Sequence, residues 1–113
     1  MNSDDCGICN LLNRYAFGED VKIVYDSEHS IAFHSTKPFA QIHIFIASKK
    51  HIPTIFALTE QDNELVIDMM KAIKIASTEV IALKGACKVE MYLGDFQNTK
   101  HFHCHVIYDP PTN

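Results

Sequence analysis

Apolar and polar residues recur along this chain with two periods, and the changes between them mark its elements. Over residues 7–16, Ile8, Leu11, Leu12 and Tyr15 fall three, four and seven apart, which predicts a short helix. Residues 17–20, Phe-Gly-Glu-Asp, read as a turn. Apolar and polar residues then alternate over 21–25 and 30–34 around a polar 26–29, the pattern of two strands in a hairpin. After a loop over 35–41 containing Pro38, the run Ile42-His43-Ile44-Phe45-Ile46-Ala47 is the most apolar strand in the chain and predicts a central one. Thr59-Glu60-Gln61-Asp62 has the form of a capping box. From it Leu65, Met69, Ile73, Ala76, Val80 and Leu83 recur every three or four residues up to Gly85, a helix stop signal. Period two returns over 87–93 and 101–108, around a loop at 94–100, and Asp109-Pro110-Pro111 closes the pattern. Five strands with hairpin-like links and two helices, one short and one long, predict an α+β domain with a mostly antiparallel sheet.

Composition narrows the setting. The 113 residues are 47% hydrophobic and 21% charged, which predicts one globular domain over 1–113, with 1–5 and 109–113 as tails. A formal net charge of −4 argues against general polyanion binding, so no nucleic-acid partner is expected. No run approaches the ~18 apolar residues of a membrane span, and the acidic start Met1-Asn2-Ser3-Asp4-Asp5 does not resemble a secretory signal. A reducing, cytoplasmic setting follows as an expectation, with the nucleus as a second compartment in a eukaryote. There Cys87 and Cys104 read as small packed hydrophobes.

The chemistry concentrates in His101-Phe102-His103-Cys104-His105-Val106-Ile107. A strand points alternate side chains to opposite faces, which places three imidazoles on one side and Phe102, Cys104 and Val106 on the other. Imidazole can serve as nucleophile, proton carrier or metal ligand near neutral pH. At a spacing of about 7 Å along a strand, three of them suit an elongated anion better than one metal ion. His43 is the one polar side chain of its strand; His34 ends another; His51 follows Lys49 and Lys50. Cys6-x-x-Cys9 alone is a weak signal: a redox pair, though without a thioredoxin-like βαβ context, two structural thiols, or half of a tetrahedral zinc site that needs two more ligands. The loop Gly94-Asp95-Phe96-Gln97-Asn98-Thr99-Lys100 offers amides, a hydroxyl and an ammonium able to hold a phosphate.

Together these residues resemble the histidine triad (HIT) proteins, whose His-φ-His-φ-His-φ-φ signature (φ apolar) is met throughout 101–107. Val24-Tyr25-Asp26 with Ala32-Phe33-His34 resembles the family's first hairpin, and Pro38 with His43 to His51 its central stretch. Gln97 stands four residues before the first triad histidine, as the family prefers, and Cys6–Cys9 resembles the start of its zinc-binding branch. The resemblance implies a HIT-like fold, a homodimer, and a purine nucleoside monophosphate (AMP or GMP) bound beside the triad strand. It implies hydrolysis or transfer at the α-phosphorus of AMP-linked phosphoramidates or acyl-adenylates. By position, His103 resembles the nucleophile that carries the nucleotide, His105 the histidine that contacts the phosphate, and His101 and His43 further members of the catalytic network. Ile8, Phe33, His34 and Ser35 match positions around the base and ribose; Gln97 and Asn98 match positions near the phosphate. Cys6, Cys9, His51 and His101 match the ligands of a structural Zn²⁺.

Several positions depart from the pattern. Ser35 stands where the family usually has an aspartate that holds the ribose hydroxyls, so a weaker or rerouted ribose grip is expected. Ala47-Ser48 replaces Ile-Pro, and Phe96 replaces a frequent glycine. Neutral imidazole attacks phosphorus without a separate base, and no carboxylate cluster suggests a Mg²⁺ requirement. Two other readings fit the same residues: a dinucleoside polyphosphate hydrolase, and a nucleotide-binding regulatory module with vestigial catalysis.

Overall fold

The most apolar run lies at the middle of the sheet. In this computed structural model, which describes residues 6–16 and 21–111, strand β3 (Ile42–Ser48) pairs antiparallel with β2 (Ser30–His34) on one side and β5 (His103–Tyr108) on the other. The edges are β1 (Ile23–Asp26) and β4 (Lys88–Glu90), giving the order β1-β2-β3-β5-β4 with every pair antiparallel. The turn expected over 17–20 lies outside the described residues.

One face is closed by the long helix, α2 (Asn63–Lys84). Its Leu65, Met69, Ala72, Ala76 and Val80 are buried, as their spacing requires, against Ala32, Ile44, Ile46, Phe102, Cys104 and Val106. The capping box is present: Thr59 accepts from the Gln61 N–H, the Asp62 carboxylate accepts from the Thr59 N–H, and a single 3-10 turn over Glu60–Asp62 leads into α2. Gly85 ends the helix at φ 85°, a left-handed conformation that suits a residue without Cβ. Tyr25, Ser27 and Ser30 all donate to the Asp68 carboxylate, tying the first hairpin to the middle of α2. Leu83, expected in the buried stripe, is 69% exposed and edges an open hollow with His34, Ile42 and Glu79.

Helix α1 (Gly7–Ala16) lies on the other face, where Ile8, Cys6 and Cys9 pack with Ile31, Phe33 and Ala47. The sheet is therefore covered on both sides. His101, His103 and His105 are 0, 9 and 5% exposed, where a one-sided sheet would have left them open. Strand limits also shift. The first strand begins at Ile23, and Glu90 ends the fourth. Beyond Glu90 the chain leaves the ladder for a 3-10 turn over Gly94–Phe96, with Gly94 at φ 63°. The last strand begins at His103 because the backbone before it pairs elsewhere: the His101 N–H donates to Thr99, the Phe102 N–H to Ile52, and the Phe102 carbonyl accepts from Ser48.

Candidate functional site

Alternation along β3 and β5 puts His43, Phe45, His103 and His105 on the α1 face, and hydrogen bonds fix the ring tautomers there. His103 donates from Nδ1 to the His101 carbonyl, so its Nε2 carries the lone pair. The ring lies flat against Phe45, centroids 4.7 Å apart at 9°. His43 accepts the Phe39 N–H at Nδ1 (3.3 Å), so its Nε2–H points to His105 Nδ1 at 2.7 Å. His105 must then hold its proton on Nε2, as a hydrogen-bond donor. One ring thus offers an electron pair and its neighbour an N–H.

Burial keeps these rings neutral. It pulls His43 and His103 below the ordinary imidazole value. Burial first, then the neighbouring His103 and His43 rings, take His105 down to about 4.

His101 serves a different site. Its Nε2 donates to the Ser48 carbonyl at 2.6 Å, and burial takes the ring down to about 4. Nδ1 is then a bare lone pair facing Cys6 Sγ (3.3 Å), Cys9 Sγ (3.5 Å) and His51 Nδ1 (3.2 Å). All four ligand atoms lie within 4.8 Å of one another. A tetrahedral ion with bonds of about 2.0–2.3 Å sets its ligands about 3.3–3.8 Å apart, so two thiols and two imidazoles here can hold a metal ion. The Cys9 N–H on Cys6 Sγ (3.3 Å) suits a thiolate, and the Ser48 carbonyl orients the imidazole ligand. The ion's contribution would be to fix the His101 ring and the start of α1. Cys104, by contrast, sits in the apolar core, which pushes its thiol up to about 12 and leaves it inert.

Beside His105 opens a cleft of about 610 Å³. Its walls are Ile8 and Leu11 of α1, Phe33, Phe39 and Phe45, with Ser35, Lys37, Asn98 and Thr99 around them. Aromatic and aliphatic walls fit a planar base. Most of the residues expected there are brought together. His34 is not: alternation along β2 turns it to the α2 side, into a separate hollow with Glu79 and Leu83. Gln97 is buried and donates both amide hydrogens to backbone carbonyls, Pro53 (2.7 Å) and Thr99 (3.0 Å). It orders the loop that presents Asn98 rather than facing the cleft itself. Sequence reasoning passed over Phe39, Phe45, Tyr92 and Glu90. Tyr92 lies 5.1 Å from the His105 ring and donates to Glu90, which pairs directly across from His105. Only the β4–β5 register reveals that adjacency.

A sequence profile of the family described as scavenger mRNA decapping enzyme C-terminal binding matches residues 5–112. Among solved structures, a HIT family hydrolase from Clostridium thermocellum is 22% identical with a TM-score of 0.81, over 99% of this chain and 96% of its own. A HIT family hydrolase from Legionella pneumophila Philadelphia 1 is 21% identical at 0.78, over 96% of each. A histidine triad protein from Clostridium difficile is 23% identical at 0.74, over 100% and 99%. At these identities the three share this chain's fold.

Proposed function

The chain belongs to the histidine triad family, through the profile that spans nearly all of it, and from that premise we propose that it is a nucleotide hydrolase acting through a nucleotidyl-histidine intermediate. The observation that carries this reading is the pair of opposed tautomers. His103 holds Nε2 as a lone pair by donating Nδ1–H to the His101 carbonyl, while His105 is left with Nε2–H as a donor. The substrate is an AMP-linked phosphoramidate or acyl-adenylate, its purine in the cleft beside Ile8 and Phe33 and its phosphate against His105 and Asn98.

His103 Nε2 attacks the α-phosphorus, and the bond from phosphorus to the leaving nitrogen or oxygen breaks with its electron pair on that atom. An amine leaves with a proton taken from water. A water oxygen then attacks the same phosphorus, the P–Nε2 bond returns its pair to His103, and water's proton goes to solvent, releasing AMP. His105 Nε2–H stabilises the oxyanion in both steps. Zn²⁺ is the ion we assign to Cys6, Cys9, His51 and His101, since the donor set suits it. A homodimer fits the open edge of β4, where Val89 and Met91 are 50 and 40% exposed.

Mass spectrometry of protein quenched after mixing with adenosine 5′-phosphoramidate tests the reading. An adenylyl adduct on a peptide containing His103 is expected. Turnover with no adduct at that residue, or full activity in His103→Ala, refutes it.

A further inference from the structure

Glu90 has no place in the chemistry above, yet it stands beside it. The strand order lays out the substrate. The nucleoside cleft opens over β2 and β3, through Phe33, Phe45 and His43, and His105 brings β5 to its rim. On the hydrolase reading the phosphorus lies over β5, and the next strand outward is β4. In-line displacement places the leaving group opposite the nucleophile. His103 begins β5 beside the metal-binding cluster, so the position opposite it lies toward His105 and beyond. The residue directly across from His105 is Glu90, and directly paired side chains share one face with Cβ atoms about 5 Å apart. Tyr92 holds the Glu90 carboxylate by its hydroxyl while its ring lies against His105.

The charges make this placement selective. Among the described residues lining the cleft none is acidic, and Lys37 supplies its formal charge. Glu90 is thus a negative group on the leaving side of a phosphate that is itself negative, an arrangement that repels an anionic leaving group and attracts a cationic one. We propose that Glu90, held by Tyr92, is a specificity-determining residue that selects substrates whose leaving group carries a positive charge, such as an amine with a second, ammonium-bearing end. This rests on the hydrolase reading and deepens it: the same constellation disfavours nucleoside polyphosphates, whose leaving group is polyanionic.

The test compares AMP joined through a P–N bond to 1,3-diaminopropane with AMP joined to butylamine; the two leaving groups differ only in a terminal ammonium against a methyl. The wild type is expected to favour the ammonium compound about two- to fivefold in kcat/KM at low salt, as a partly exposed ion pair allows. The ratio should shrink as salt is raised. Glu90→Gln should bring the ratio near one, and Glu90→Asp should restore part of it. Kd values of the two intact compounds for His103→Ala should show the same preference. A ratio near one in the wild type, or a ratio unchanged in Glu90→Gln, overturns the proposal. Failure to cleave either compound with His103 unmodified strikes instead at the hydrolase reading, so the two failures are distinct.

Discussion

The two faces of the sheet are built from the same five strands and do opposite things with burial. The α2 face is mainly aliphatic: Ile44, Ile46, Val106 and Val80 are at most 1% exposed and belong to one apolar cluster. The α1 face buries imidazoles, and each requires a partner on both ring nitrogens or a reason to lack one. Most partners are present: the His101 and Ser48 carbonyls, the Phe39 N–H, and His43 for His105. Of the nitrogens that remain, His101 Nδ1 faces Cys6, Cys9 and His51, and His103 Nε2 and His105 Nε2 are the two that the proposed reaction uses. One face supplies stability; the other keeps unsatisfied atoms in fixed positions.

Removing chemistry from one face should leave the other intact. His103→Ala is expected to lower kcat/KM for the phosphoramidate by on the order of 10⁴-fold, as loss of a nucleophile does. Its melting temperature should stay within about 5 °C of the wild type. A variant that melts far lower would mean the triad ring also supports the fold. The converse is Ile46→Ala, which should cost about 2–5 kcal/mol in denaturant unfolding through the cavity it leaves. AMP affinity, measured where the variant is still folded, should hold within about threefold.

Metal removal sharpens the comparison within the α1 face. Cys9→Ser, or chelation of the wild type, should accelerate amide hydrogen exchange across α1 and leave α2 amides at wild-type rates, because two of the four candidate ligands sit at the start of α1. Equal acceleration of α2 would show the faces to be one cooperative unit.

Legibility in the sequence follows the same division. The α2 face was readable because period and burial coincide: Leu65, Met69, Ala76 and Val80 are where their spacing put them. The pairing of Cys6 and Cys9 with His51 and His101 came from resemblance, and the structure brings the four together. What spacing could not supply was strand register and backbone partners. His34 belongs to the α2 side because it is even in step with Ala32, and Glu90 meets His105 only through a three-residue ladder. Gln97 looked like a phosphate group's neighbour, yet the Pro53 carbonyl, 44 residues away, takes its amide. Period two says that side chains alternate; only tertiary pairing says what each face meets.

Acid separates the faces by smaller amounts. The sign follows from His105, held at about 4 in the fold against about 6.5 when unfolded. Above pH 6.5 both states are neutral and the contribution is constant. Below it the unfolded chain binds a proton that the native ring refuses, so stability falls toward pH 4 by up to about 1.4 kcal/mol per pH unit for one proton. His105→Asn should therefore lose less stability than the wild type on going from pH 7 to pH 5, as measured by denaturant unfolding at each pH. Parallel curves would contradict the buried, neutral ring.

The smallest effect tests whether the faces communicate at all. Asp62 closes the capping box of the 3-10 turn that leads into α2 by accepting the Thr59 N–H (2.9 Å), and it also receives Nζ of Lys50 (2.9 Å), the residue before the metal-ligand candidate His51. Both bonds hold its carboxyl below the usual carboxylate range. Asp62→Ala should destabilise the protein slightly in denaturant unfolding, through loss of the returning half of that capping box. Lys50 is exposed enough for its ion pair to add little. If the faces are independent, metal affinity and kcat/KM will not follow that loss. A tenfold drop in metal affinity would instead mean that Asp62 positions His51 through Lys50, making the start of α2 part of the support of the metal-binding cluster.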